Sequence, residues 1–241
     1  NLGGDERIYP APMTKIMTAL LTIENLPDLN ETITVPEDIF EELTAQDASV
    51  AGFNPYEQPT VRDLLYGVLL PSGADACETL ARAVGGSEEG FVAMMNQKAE
   101  ELGLTNTHFE NCTGLHNDNH YSTCRDIAVL MSECLKSDTF REIVTREVYT
   151  TEATASHPEG ITLYDTMLHR FTSYEMSTTL ENGAVIEGGK TGFTDEAGQC
   201  LVSFAEYGGE EYILVTAEAM TDSGSAVDSI ADASTVYGRL Q

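Results

Sequence analysis

Residues 9–25 constrain the fold most, because Met13, Ile16, Met17, Leu20, Leu21 and Ile23 surround a single lysine, Lys15, with apolar side chains on nearly every side. That distribution predicts one core helix buried almost all round rather than an amphipathic surface helix. Pro12 suits its first turn, since proline has no N–H to donate and a preset φ. Residue 12 therefore begins the predicted helix, and Lys15, three residues on, shares its face. Two fates are open to the amine at this point. It can be desolvated, with a lowered pKa, and act as a base toward position 12. It can also snorkel to water, the usual fate of such lysines.

The 241 residues suffice for one large domain or a domain carrying an inserted part, and 41% hydrophobic content with 20 glycines reads as globular. Twelve Lys plus Arg against 40 Asp plus Glu leave a net charge of −28. Such a field repels phosphate backbones and anionic lipid, so nucleic acid is excluded as a partner. No apolar run reaches the roughly 18 to 20 residues of a membrane span, and no signal peptide is expected at the start. Cys77, Cys112, Cys124, Cys134 and Cys200 form no C-x-x-C pair and read as small core hydrophobes. His116 and His120 flank a turn-like Asn117-Asp118-Asn119 without a third ligand at zinc spacing, so neither metal nor cofactor is expected.

The order of elements is legible in outline. Residues 31–35 alternate like a short strand and 38–43 read as a helical turn. Thr60 with Asp63 opens a helix through Leu69, a second runs over 74–84 to Gly85-Gly86, and Ser87 caps a third ending at Gly103. After an irregular stretch at 104–120, Thr123 with Asp126 opens a fourth. Strand-like residues appear at 147–151, then strands at 184–192, 198–206 and 211–220, the last two joined as a hairpin. Residues 223–240 return to helix. Helices from the two chain ends covering one antiparallel sheet, with a mostly helical part over about 28–145 inserted, make an α+β plan with a cleft between the parts.

Three short stretches fall in order along this plan: Pro12-Met13-Thr14-Lys15, Ser72-Gly73-Ala74 and Lys190-Thr191-Gly192. Together they resemble the S-x-x-K, S-x-N and K-T-G motifs of penicillin-binding proteins and serine β-lactamases. The flanking text, Tyr9-Pro10-Ala11, Asp63-Leu64-Leu65-Tyr66-Gly67, Asn119-His120-Tyr121-Ser122-Thr123 and Phe193-Thr194-Asp195-Glu196-Ala197-Gly198, is similar to the low-molecular-weight D-alanyl-D-alanine carboxypeptidases. The resemblance implies a β-lactamase/transpeptidase-like fold, an extracytoplasmic location, and a cleft for peptidoglycan stem peptides or β-lactams. Family members also have an N-terminal strand and a C-terminal β-domain, which are expected to be absent from these 241 residues.

In the family a serine at the first motif position attacks the bond between two D-alanines and passes its proton to the motif lysine. Here that position is Pro12, which has no hydroxyl, and the asparagine position is Ala74, which cannot hold a substrate amide. The resemblance assigns proton relay to Lys15 and Ser72, and carboxylate binding to Lys190, Thr191 and Gly192. Thr14 is a nearby hydroxyl but lies off the face shared by 12 and 15. Gly188, Gly189 and Gly192 are expected to leave a bare strand for a peptide. Three readings follow: a domain that binds stem peptides without cleaving them, an active enzyme whose natural residue 12 is serine, or a scaffold. A class A β-lactamase is disfavoured, since no deacylating glutamate motif occurs between Thr105 and Thr123.

Overall fold

The computed structural model describes residues 3–219 and 227–241. A short strand β1 (Arg7–Ile8) precedes a 3₁₀ turn (Ala11–Thr14) that runs into α1 (Lys15–Asn25). Then come α2 (Ile39–Ala45), α3 (Val61–Leu69), α4 (Ala74–Gly85) and α5 (Glu88–Glu101), β2 (Ser122–Thr123), α6 (Cys124–Cys134) and α7 (Asp138–Val144). A small hairpin, β3 (Val148–Thr150) with β4 (Thr162–Tyr164), and α8 (Leu168–Ser173) lead to the main sheet. It consists of β5 (Val185–Thr194), β6 (Gly198–Tyr207) and β7 (Glu210–Ala219), followed by α9 (Asp228–Tyr237).

The helices start where local chemistry requires. Thr60 accepts the Asp63 N–H while Asp63 reaches back to the Thr60 N–H, a reciprocal cap for α3. Ser87 accepts the Gly90 N–H at the start of α5, and Gly86 ends α4 at φ +76°, which a side chain would resist. Thr123 caps α6 through the Asp126 N–H, but the Asp126 carboxylate turns to Asn106 N–H (2.9 Å) and Thr107 Oγ1 (2.8 Å). The predicted box is thus half made, and its acid fastens the preceding loop instead.

The sheet order is β5-β6-β7, antiparallel throughout, with β6–β7 joined by a turn in which Gly208 and Gly209 take φ +65° and +84°. Both faces of β6 are covered. Val202 and Phe204 belong to the core built on α1, α3, α4 and α6, while Leu201 and Ala205 pack with Phe171 of α8 and with Ile230, Ala233 and Tyr237 of α9. The sequence plan put both end helices on the sheet, and only α9 lies there. Helix α1 is enclosed by α3, α4, α5, α6 and α7, and the 3₁₀ turn before it is what reaches β5 and β6. An apolar girdle nearly all round favours a place among helices, where every face finds a partner.

Residues 31–35 form only one bridge, Thr32 to Thr60, rather than a strand. The core helix does not begin as α-helix at residue 12, because residues 11–14 are tightened into 3₁₀ geometry. The predicted final helix begins in part outside the described residues, as does the end of the last strand.

The irregular segment 151–161 is held by Glu57, whose carboxylate is 1% exposed and accepts from Thr154 Oγ1, the Asn54 N–H and His157 Nδ1. Burial pushes its carboxyl up, but those donors outweigh it and the net direction is down. A depressed folded pKa contributes stability above the unfolded carboxyl value of about 4.3 and loses it as pH falls through the folded value. Thermal unfolding over the acid range should therefore weaken more steeply in the native chain than in Glu57→Gln, and parallel curves would deny Glu57 this role. No helix among the described residues is long and apolar enough to cross a membrane.

Candidate active site

The 3₁₀ turn and β5 meet where the first and third motifs lie. In 3₁₀ geometry residues i and i+3 eclipse, so Pro12 stacks over Lys15, whose backbone N–H bonds the Pro12 carbonyl. The turn is entered through Ala11 at φ +51°, a left-handed conformation uncommon for a residue with a side chain. Pro12 is half-exposed, whereas Lys15 is 2% exposed and Lys190 1% exposed. The snorkelling alternative is thereby excluded. Lys15 Nζ donates to the Thr113 carbonyl at 2.6 Å inside the molecule.

Burial pushes the Lys15 ammonium down, while Cys77, Cys112 and Asp75 nearby act against that shift. Lys190 is pushed down by burial and then by Lys15, with Asp165 restoring part of the charge. Its Nζ donates to the Thr191 carbonyl at 3.0 Å. Asp165 is itself pushed up by burial, although it accepts the Met167 and Leu168 N–H groups at 2.9 and 2.7 Å. Thr191, the next residue of β5, has its hydroxyl 2.5 Å from that of Thr166.

The glycines of β5 serve a purpose other than the expected one. A Cβ at Gly188 would lie 2.3 Å from the Val144 carbonyl oxygen, one at Gly189 2.4 Å from that of Val202, and one at Gly192 3.1 Å from Ala11 Cβ and 3.2 Å from the Pro12 nitrogen. Their missing side chains admit the protein's own backbone. For Gly192 this seats the third motif directly against the first.

The second motif leads into α4, which packs against α1. Ser72 sits at φ +66°, and its buried Oγ has no hydrogen-bond partner. Neither lysine reaches it in this arrangement. Ala74 opens α4, its N–H bonded to the Ser49 carbonyl at 2.7 Å. Next to it Asp75, fully buried, accepts the N–H groups of Ala51 (2.7 Å), Gly52 (3.0 Å), Phe53 (3.1 Å) and Ala76 (3.0 Å). This fastens residues 51–53 behind Gly73, where a Cβ would be 2.7 Å from Ala51.

Thr14 points away from the shared face, as expected, with Oγ1 2.8 Å from His120 Nε2. His120 Nδ1 accepts the Glu110 N–H, so the ring proton of the neutral imidazole lies on Nε2 and donates to Thr14. Burial pushes this histidine down to about 3 and keeps it neutral. His116 stands apart, its ring edge-on to Tyr9 at 4.8 Å. All five cysteines are free, and Cys77, Cys112, Cys134 and Cys200 are buried.

A family model described as D-alanyl-D-alanine carboxypeptidase matches residues 2–221. The chain belongs to that family. It is a family of serine peptidases of peptidoglycan metabolism. The chain is 35% identical over 222 residues to the D-alanyl-D-alanine carboxypeptidase DacF of Bacillus subtilis, covering 92% of this chain and 54% of that protein. It is 36% identical over 217 residues to the D-alanyl-D-alanine carboxypeptidase of Streptomyces sp. K15, covering 87% and 72%. It thus spans about half the length of DacF. The crystal structure of the Streptomyces K15 DD-transpeptidase superposes with a TM-score of 0.81 at 32% identity, covering 98% of this chain and 89% of that one. Penicillin-binding protein 5 of Haemophilus influenzae gives 0.79 at 26%, covering 98% and 65%. The transpeptidase-like α+β fold expected from the motifs is the one these neighbours share.

Sequence reasoning overlooked Thr113, Asp75, Asp165 and Thr166. Asp75 had a local signal, an acid in the first turn of a helix after Gly73, but its donors come from residues 51–53. Thr113 acts through its carbonyl, which no side-chain pattern marks.

Proposed function

We propose that this chain is one carboxypeptidase-like domain, with a mostly helical part over about 28–145, that binds stem peptides ending in D-Ala-D-Ala outside the cytoplasm without cleaving them. The observation that carries this reading is Pro12 eclipsed over a buried Lys15 and packed against Gly192, so the site is assembled around a residue that cannot be a nucleophile. In this reading Lys190, Thr191 and Gly192 receive the terminal carboxylate, charge-assisted by the Lys190 ammonium. Lys15 and Ser72 occupy the sequence positions to which the resemblance assigns proton relay, with no hydroxyl at residue 12 to serve. Ala74 leaves the substrate amide without a side-chain partner.

Lys190→Ala should weaken binding of such a peptide by about 1 to 3 kcal/mol, the worth of a hydrogen bond to a charged group in a sheltered site. Isothermal calorimetry of the two proteins tests it. Equal affinities would remove Lys190 from the binding site.

A further inference from the structure

Beyond the motif residues, one side-chain cluster joins three elements. Glu78 on α4, Glu88 on α5 and Cys112 in the connection to β2 bring carboxylate oxygens and the thiol sulfur within 4.8 Å of one another. The Cys112 S–H donates to Glu78 Oε1 at 3.4 Å, and its backbone N–H donates to Glu88 Oε1 at 3.2 Å. Two carboxylates this close and sheltered cannot both be charged without strong repulsion. One shared proton satisfies every contact. A protonated Glu78 donates toward Glu88 and accepts the thiol hydrogen, while Glu88 also accepts the Cys112 N–H.

The segment they grip is the one that holds the first motif. The Cys112 carbonyl accepts Thr18 Oγ1 at 2.6 Å, and the next carbonyl, of Thr113, accepts Lys15 Nζ at 2.6 Å. Asn111 Oδ1 accepts the Gly114 N–H at 2.7 Å, and a Cβ on Gly114 would lie 2.0 Å from the Ala11 carbonyl oxygen. Residues 111–114 are therefore wedged between two carboxyl groups and the turn carrying Pro12.

We propose that Glu78 and Glu88 are positioning residues for Lys15: sharing one proton, they clamp residues 111–114 so that the Thr113 carbonyl meets the Lys15 amine, and losing that proton loosens the clamp. The surroundings resist a second negative charge. Glu42 of α2, and Glu110 and His116 of the connection, line the same cavity, while Asp75 and Cys77 of α4 and Lys15 of α1 lie beyond Cys112. Arg82 Nε is 3.7 Å from Glu78, but its guanidinium is drawn to Asp38 at 2.6 Å. Burial and the Glu88 charge push the Glu78 carboxyl up to about 7, which puts the loss of the proton near neutrality. The inference rests on the proposed function only for the use made of Lys15.

Hydrogen exchange read by mass spectrometry over residues 110–116 of the unaltered chain, from about pH 5.5 to about pH 8.5 and corrected for the intrinsic rate, tests the clamp without needing activity. Protection should fall by roughly tenfold as the pair loses its proton. Glu88→Gln keeps an acceptor oxygen without the charge and should abolish this pH dependence. Glu88→Ala should lower protection at every pH. Protection independent of pH in the unaltered chain, or unchanged pH dependence in Glu88→Gln, would overturn the proposal. A failure to bind peptide would count against the proposed function and leave this result standing.

Discussion

The unaltered chain should form no covalent adduct with penicillin, whereas Pro12→Ser should gain the mass of one molecule. The substituted hydroxyl would stand over Lys15 in the 3₁₀ turn, at a half-buried position. Lys15 is already fitted to be its base, since burial favours the neutral amine. A neutral amine can give one hydrogen to the Thr113 carbonyl and turn its lone pair toward residue 12. The serine Oγ–H proton would pass to Lys15, an acyl–oxygen bond would form, the lactam C–N bond would break, and the proton would go on to the departing nitrogen. The fold should accept serine readily, because Pro12 donates no backbone hydrogen bond that serine would have to replace. Intact-protein mass spectrometry reads the outcome directly. Peptide cleavage should lag acylation, since Ala74 leaves the amide poorly held and a 1 Å misplacement costs about a hundredfold in rate. Adding Ala74→Asn should narrow that gap. A folded Pro12→Ser protein that takes up no penicillin would show that the cleft has changed beyond these two positions.

Asp75→Ala should be among the most destabilising single substitutions in the chain. Its carboxylate satisfies four N–H groups, and three of them, from Ala51, Gly52 and Phe53, have no helix to turn to. Leaving several buried donors unpaired costs about 3 to 5 kcal/mol in total, against a whole-domain stability of roughly 5 to 15 kcal/mol. Residues 51–53 would detach from the N-terminus of α4, and Gly73 would lose the Ala51 backbone packed against it. Denaturant unfolding followed by circular dichroism should show the midpoint drop. A midpoint within the usual range of a surface substitution would mean that water replaces the carboxylate at little cost.

What could be read from the sequence was local. The caps at Thr60, Ser87 and Thr123 and the left-handed Gly86 act within a few residues of themselves, so their signals survive in the text. The three strands of the sheet are ten residues each, long enough for alternation to declare itself. Helices α7 and α8 and strand β4 have seven, six and three residues, shorter than the periods that would reveal them. Ser137, which accepts the Phe140 N–H at the start of α7, was the one available signal. The three motifs were legible as a set through their resemblance to a family, but their contacts were not. The glycines of β5 read as empty space for a ligand, whereas each is filled by backbone that comes from elsewhere in the chain. Lys15 left two fates open because its acceptor, the Thr113 carbonyl, is 98 residues away.

In the proposed function, binding of the terminal carboxylate has outlasted the chemistry. Calorimetric titration of the unaltered chain with a stem-peptide mimic ending in D-Ala-D-Ala, run beside the same peptide with its C-terminus amidated, separates the two. Saturable heat is expected with the free acid and at least about tenfold weaker binding of the amide, because Lys190 then lacks its anionic partner. No heat with the free acid, or equal affinity for both peptides, would contradict it.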